Sequence, residues 1–356
     1  MPSGTSYGFA VFTGAAHTAT ILPQRYLALY RPLFYYTCYM NAQGRTMPGS
    51  VAADSAALVD LIRSLREEIT VRPTERDRTL TPVSGIAAVL FDVYGTMFIS
   101  GSGDISVARE SGDESHFRTV LRHLAPANAS DSAIEVAARR ARAAYFSQIE
   151  ELHESSRAAG ISYPEVDIVA VWSAVLDSLS GELLPGLRHD TDSARIAAVV
   201  YEGVSNPVAP APGLLSMLRT LSHRSIHLGV VSNAQFYTPL LFPAFLDTSL
   251  SGAGIDPELC SWSYQLREAK PSTRLFRPVL ETLKNRFNMK PAEVLYVGND
   301  MLNDIWTARS CGCRTCLFAG DERSLRLREK DLRCADLEPD AVITRLADLP
   351  GILPSR

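Results

Sequence analysis

Four short stretches of the 356-residue chain carry the residue types that covalent hydrolysis needs: Asp92-Val93-Tyr94-Gly95-Thr96, Ser232-Asn233, Lys270-Pro271, and Gly298-Asn299-Asp300 with Asn303 and Asp304. A carboxylate at a strand end can attack an electrophilic phosphorus or carbon and form an ester that water later cleaves, so one hard displacement becomes two easier ones. Asp92 is the candidate for that role. Gly95 permits a sharp turn after it. The hydroxyls of Thr96 and Ser232 and the amide of Asn233 could bind substrate oxygens. A Lys270 ammonium would offset negative charge around the nucleophile and the transition state. The acidic cluster near Asp300 would hold a hard cation, Mg²⁺ above all, through oxygen ligands. Taken singly, each stretch has an ordinary structural use: a strand-end Asp caps helices, Ser-Asn fills turns, and a lone lysine is a solvated charge.

Taken together, in this order and each after an apolar run or at a helix start, the four stretches resemble the motifs of the haloacid dehalogenase-like superfamily. The resemblance covers Ser84 to about Leu349. It implies Asp92, Tyr94 and Lys270 as catalytic residues, Thr96, Ser232 and Asn233 as substrate contacts, and Asp92, Asn299, Asp300 and Asp304 as Mg²⁺ donors. It also implies a helical cap inserted between the first and second motifs, whose closure would exclude water and select the substrate.

The chain departs from the family's phosphatases at two places. They carry a second Asp two positions after the nucleophile, as the acid and base of the reaction, and this chain has Tyr94. They place Asp directly after the Gly of the fourth motif, and this chain has Asn299, whose amide oxygen can still ligate Mg²⁺. Tyr94 resembles the dehalogenase branch, in which a halide leaves without a proton. That branch places a tyrosine six residues beyond the lysine, where Phe276 stands, and holds a substrate carboxylate with a cap arginine for which Arg109, Arg118 and Arg122 are the candidates. The resemblance therefore implies a hydrolase, with a Mg²⁺-dependent phosphatase of a small phosphorylated metabolite as the first expectation. A metal-independent 2-haloacid dehalogenase-type enzyme and a catalytically weak ligand-binding or regulatory protein are the alternatives. A substrate with a good leaving group, or a proton from Tyr94 or a cap residue, would reconcile Tyr94 with phosphatase chemistry.

Such residues need a scaffold. Ile86 to Phe91 is a continuous apolar run ending at Asp92, the pattern of a buried parallel strand, and similar runs recur at His227 to Val231, Glu293 to Val297 and Thr315 to Phe318 with helical patterns between them. His116–Leu124, Ser132–Leu152 and Asp167–Leu179 are helical in spacing, with no convincing strand between Gly103 and Asn206. The expected fold is a doubly wound, three-layer α/β core at 84–104 and 207–350, with a helical cap at 105–206. The segment 1–83 reads as an extension and linker. Only Arg25, Arg31 and Arg45 supply charge before Asp54. That composition suits a targeting segment or upstream sequence, with Met47 as a start, or a genuine added element, and the aromatic run Tyr26 to Tyr39 suits packing on the body or an interface. Helical spacing runs from Ser50 to Ile69, and Val71 to Pro82 reads as a linker.

Composition narrows the partners. With 46% apolar and 21% charged residues, the chain can bury a core, and at net charge −4 it has no broad basic field for nucleic acid. A small-molecule substrate is expected. No run reaches the ~18 apolar residues of a membrane span. Six cysteines are too few for a disulfide framework, which points to a reducing compartment, the cytoplasm. Cys311, Cys313 and Cys316 read as a buried strand rather than a metal cluster, His116, His123 and His153 as surface positions, and Asp321 to Asp331 as a solvated helix.

Overall fold

In the computed structural model, residues 10–11, 20–21, 50–102, 113–181 and 183–353 are described. The chain divides into two units, Met1–Ser50 and Val51–Arg356. In the first, β1 (Ala10–Val11) pairs antiparallel with β2 (Thr20–Ile21). The aromatic run at Tyr26 to Tyr39, Met47 and Arg109 lie outside the described residues.

The second unit opens within α1 (Ser50–Ser64), at Val51, and continues through β3 (Ala88–Phe91) and β4 (Phe98–Ser100). Four helices follow: α2 (Glu114–Leu124), α3 (Asp131–Ala158), α4 (Ile168–Leu179) and α5 (Thr191–Ser205). The chain then runs through β5 (Val208–Pro210), α6 (Leu214–His223), β6 (His227–Ser232), α7 (Leu241–Leu246), β7 (Ile255–Trp262), α8 (Ser263–Leu266), α9 (Arg277–Phe287) and β8 (Val294–Gly298). A π-helical turn at Met301–Trp306 leads into α10 (Thr307–Ser310), followed by β9 (Arg314–Phe318), β10 (Ala341–Ile343) and α11 (Leu349–Ile352).

Six strands form one sheet in the order β10-β9-β8-β3-β6-β7, and every neighbouring pair is parallel. All four residues of β3 are buried, as a strand covered on both faces requires. Val89 and Phe91 join one apolar cluster, with Leu228, Val230 and Val297, while Leu90 joins a second with Tyr296, Phe276, Val279 and Leu283. This alternation makes the sheet the middle of three layers.

The four consecutive helices carry the sequence signals of their own starts. Asp113, Ser130, Asp167 and Asp190 each accept a bond from an amide of the first turn. On α3 the buried positions Ile134, Ala138, Ala141, Tyr145 and Ile149 recur at three- and four-residue spacing. Their inner faces meet in an aromatic cluster in which Tyr145 lies 5.1 Å from Trp172 and 5.0 Å from Tyr201, ring centre to ring centre. Two chain crossings join this helical layer to the sheet layers, and they pair with each other as β4 and β5, antiparallel, with Ile99 opposite Ala209.

Helical spacing to Ile69 overshoots, since α1 stops at Ser64. Leu58, Val59 and Ile62 are buried in the first cluster, so this helix packs on the body. The stretch after it is not a free tether. Thr74 Oγ1 donates to Ala319 O at 2.6 Å, and Thr79 exchanges backbone bonds of 2.9 and 3.0 Å with Val342 on the edge strand β10. The run Asp321 to Asp331 forms no helix: Asp321 is buried and binds Arg323 and the amide of Arg72, which holds the segment as a loop. Cys313 and Cys316 lie in different apolar clusters.

Candidate active site

β3 sits between β6 and β8 and runs parallel to both, so the loops at the carboxyl ends of all three open into one crevice. Phe91 lies beside Val230 and Val297, which places Asp92 next to the end of β6 and the end of β8. The Asp92 amide donates to Val297 O at 2.9 Å, the last sheet-type bond before the chain turns. Gly95 makes that turn at φ +81°, and a Cβ there would stand 2.7 Å from both Asn299 Nδ2 and Ser324 Cβ.

The Asp92 carboxylate is held by one oxygen. Oδ1 accepts from Ser232 Oγ at 2.7 Å and from Lys270 Nζ at 2.8 Å, whereas Oδ2 receives no hydrogen bond from a described residue. Lys270 Nζ also donates to Asp304 Oδ1 at 2.6 Å and to the Tyr296 hydroxyl at 2.9 Å. Burial works against the Lys270 charge, but the Asp304 and Asp92 carboxylates outweigh it and hold the ammonium above its ordinary pKa. Burial pushes the Asp304 carboxyl up, against the pull of Lys270. Asn233 fixes the lysine's backbone, with its Oδ1 accepting the Lys270 amide at 2.7 Å.

Two of the expected substrate contacts, Thr96 and Ser232, direct their hydroxyls to protein groups in this structure. Thr96 is wholly buried and donates to Asn299 Oδ1 at 3.0 Å. Ser232 is wholly buried and spends its hydroxyl on Asp92. Asn233 lines the cavity. The Tyr94 hydroxyl lies 3.0 Å from Thr238 Oγ1, and burial together with the Glu202 and Asp92 charges pushes the phenol well above its ordinary value near 10. That shift makes the phenol a weaker acid and leaves little phenolate to act as a base.

The expected Mg²⁺ donors do not fit a resident divalent cation in this arrangement. Asn299 is neutral and its amide is held inward, with Nδ2 donating to Ser324 O at 2.6 Å. Asp300 forms a two-pronged ion pair with Arg328 at 2.6 and 3.2 Å, and its Oδ1 caps the following turn through the amides of Leu302 and Asn303. The Lys270 ammonium already lies 2.8 Å from Asp92 Oδ1 and 2.6 Å from Asp304 Oδ1, which offsets the charge that these two carboxylates would offer a cation. Among the described residues no three His, Cys, Asp or Glu side chains gather as a metal site.

The crevice widens into a cavity of about 380 Å³ between the strand ends and the helical layer. Asp92, Lys270, Asp300 and Arg328 line its polar end, and Tyr145, Phe146, Ile149 and Tyr201 its apolar wall. Sequence reasoning did not single out Tyr296, Glu202, Arg326 or Arg328, and it placed His153 on the surface, where the structure buries it at the cavity. Tyr296 donates to Val231 O at 2.6 Å and braces Lys270. It packs edge-on against Phe276, 4.8 Å between ring centres, so its hydroxyl comes from β8. Arg118 pairs with Glu135 and Arg122 with Asp131, and neither lines the cavity.

A family model described as haloacid dehalogenase-like hydrolase matches residues 86–312. The chain is 33% identical over 84 residues to the phospholysine phosphohistidine inorganic pyrophosphate phosphatase of Xenopus laevis, a match spanning 24% of this chain and 28% of that protein. Among solved structures, a haloacid dehalogenase-family phosphatase from Thermococcus onnurineus superposes with a TM-score of 0.45 at 18% identity, covering 76% of this chain and 99% of that one. A 2-haloacid dehalogenase from Pseudomonas syringae gives a TM-score of 0.44 at 20% identity, covering 75% and 97%.

Proposed function

This chain belongs to the haloacid dehalogenase-like hydrolases, and we propose that it is a phosphohydrolase of small phosphorylated molecules that works through a covalent aspartyl-phosphate on Asp92. The observation that carries the reading is the asymmetry of the Asp92 carboxylate, with Oδ1 pinned by Ser232 and Lys270 and Oδ2 left for attack. An oriented carboxylate with one free oxygen is pre-positioned for in-line displacement. Lys270 lies against the reacting group and offsets charge as the phosphoryl group approaches. The Xenopus relative is named as a phosphatase, which supports phosphorus over carbon as the centre attacked.

A second reading, hydrolysis of a 2-haloacid, is favoured by Tyr94 and by the Asp300–Arg328 pair, because a halide leaves without a proton and without a cation. The two readings separate in one assay. Wild type and Asp92→Asn are compared on p-nitrophenyl phosphate and on 2-chloropropionate, with phosphate and chloride release measured side by side. Asp92-dependent phosphate release is the expected outcome. Asp92-dependent chloride release without phosphate release would overturn it in favour of the dehalogenase reading, and neither activity would leave a ligand-binding role.

A further inference from the structure

A phosphohydrolase with Tyr94 two residues after its nucleophile carries a weakly acidic phenol, and no carboxylic acid, at that place on the loop, and the helical layer brings a carboxylate to the same cavity. Glu202, in the last turn of α5, lines the cavity together with Asp92 and Tyr94. Its side chain is fixed at both oxygens: Oε2 accepts from the Tyr237 hydroxyl at 3.0 Å, and Oε1 accepts from Asn206 Nδ2 at 2.9 Å. Asn206 is tied in turn to the β4 crossing, where Ser100 Oγ donates to its Oδ1 at 2.6 Å. Glu202 is thus positioned from the junction of the two layers, on the side that faces the strand ends.

The groups around Glu202 are phenols. Tyr94 from the β3 loop, Tyr237 from the β6 loop and Tyr201 from α5 itself all feel its charge. Arg66 lines a second, smaller pocket together with Glu202, with its guanidinium 4.5 Å over the Phe245 ring, and the Arg142 charge acts on the neighbouring Tyr201 phenol. A carboxylic acid with little water around it keeps its proton to higher pH, and burial does raise the Glu202 pKa, against the two hydrogen bonds it accepts. Its hydrogen bond to Tyr237 runs between two oxygens, so a protonated Glu202 donates to the Tyr237 hydroxyl, which lines the same cavity and can hand a proton on to a bound group.

We propose that Glu202 is the general acid and then the general base of the Asp92 reaction, supplied by the helical layer in place of the loop residue. This rests on the phosphohydrolase reading. In the first step Asp92 Oδ2 bonds to phosphorus as the bond from phosphorus to the leaving oxygen breaks, and the Glu202 proton passes to that oxygen. In the second step Glu202 takes a proton from water as the water oxygen bonds to phosphorus and the bond to Asp92 breaks. Inorganic phosphate leaves, Asp92 is again a free carboxylate and Glu202 is again protonated.

The test compares wild type, Glu202→Gln and Asp92→Asn on p-nitrophenyl phosphate and phenyl phosphate, two substrates of similar shape whose leaving groups differ in basicity. Rapid quench follows phenol release, phosphate release and acid-stable phosphoryl-enzyme. Glu202→Gln is expected to lose about 100-fold or more on phenyl phosphate, the low end of general acid–base effects, and several-fold less on the activated ester. It is also expected to release one equivalent of p-nitrophenol in a burst, with phosphoryl-enzyme accumulating because its breakdown lacks a base. A melting temperature equal to wild type's accompanies these losses. Equal losses on both substrates without a burst, or wild-type kinetics, would overturn the assignment while Asp92-dependent turnover kept the phosphohydrolase reading. Absence of Asp92-dependent turnover in the wild type would overturn both.

Discussion

Asp92, Lys270 and Asp304 form a buried chain of charges in which the lysine is shared by two carboxylates at 2.8 and 2.6 Å. Such a triad adds little net stability against an apolar replacement of all three, because taking each charge from water is costly. Removing only the lysine is different, since two carboxylates then face each other with no cation between them. Lys270→Met is therefore expected to destabilise the fold by about 3–5 kcal/mol and to abolish turnover, with urea unfolding followed by circular dichroism as the measurement. Stability equal to wild type would mean that the triad is not formed in solution. Thr96 belongs to the same scale. Its hydroxyl satisfies Asn299 inside the protein, so Thr96→Val, which keeps the shape and loses the donor, is expected to cost about 1–3 kcal/mol and leave the Michaelis constant unchanged. A rise in the Michaelis constant at unchanged stability would return Thr96 to the substrate.

At the scale of elements, the loop after β3 depends on Gly95. A side chain there meets Asn299 and Ser324 at 2.7 Å in a backbone conformation that L-residues avoid, so Gly95→Ala must move the loop that carries Tyr94 and aligns Asp92. The expected outcome is a loss of turnover far larger than the loss of stability, read from kinetics and thermal melts on the same samples; unchanged turnover would contradict the turn. The helical layer has its own core in Trp172, which is wholly buried among Phe117, Tyr145 and Tyr201. Trp172→Ala is expected to cost about 3–5 kcal/mol, and a denaturant midpoint equal to wild type's would contradict that packing.

The strands and most of these helices were legible from the chain because their patterns are local, continuous apolar runs for the parallel strands and three- and four-residue spacing for the helices. The positions of Asp92 and Lys270 at one crevice were legible because each directly follows such a strand or opens a helix. Tyr296 was hidden inside an apolar run, where a phenol reads as one more strand residue. Glu202 and Arg328 were hidden because only the tertiary fold carries the end of α5 and a charged loop to the ends of the strands. The run Asp321 to Asp331 misled because its charges satisfy one another in a loop, and composition does not distinguish that from a solvated helix.

For the molecule as a whole, the cavity lies where the sheet and the helical layer meet, and its charge pattern decides which chemistry runs there. The loop after β9 reaches back over the crevice and sets Arg328 against Asp300, so the carboxylate that composition offers to a cation is already neutralised. Asn299 adds an oxygen but no charge, and Lys270 stands between the remaining two carboxylates. A hard divalent cation needs several oxygen donors with net negative charge among them, and this set leaves only Asp92 Oδ2 without a partner. Asp92-dependent hydrolysis is accordingly expected to be the same with added Mg²⁺ and with excess chelator. Arg328→Met frees the Asp300 carboxylate without a large change of volume, so this variant is expected to bind Mn²⁺, as a spectroscopic stand-in for Mg²⁺, at least tenfold more tightly than wild type in electron paramagnetic resonance titrations. Chelator-sensitive turnover in the wild type would show that Arg328 yields to a cation during catalysis. Equal Mn²⁺ affinities for the two proteins would show that the ion pair is not what keeps the cation out.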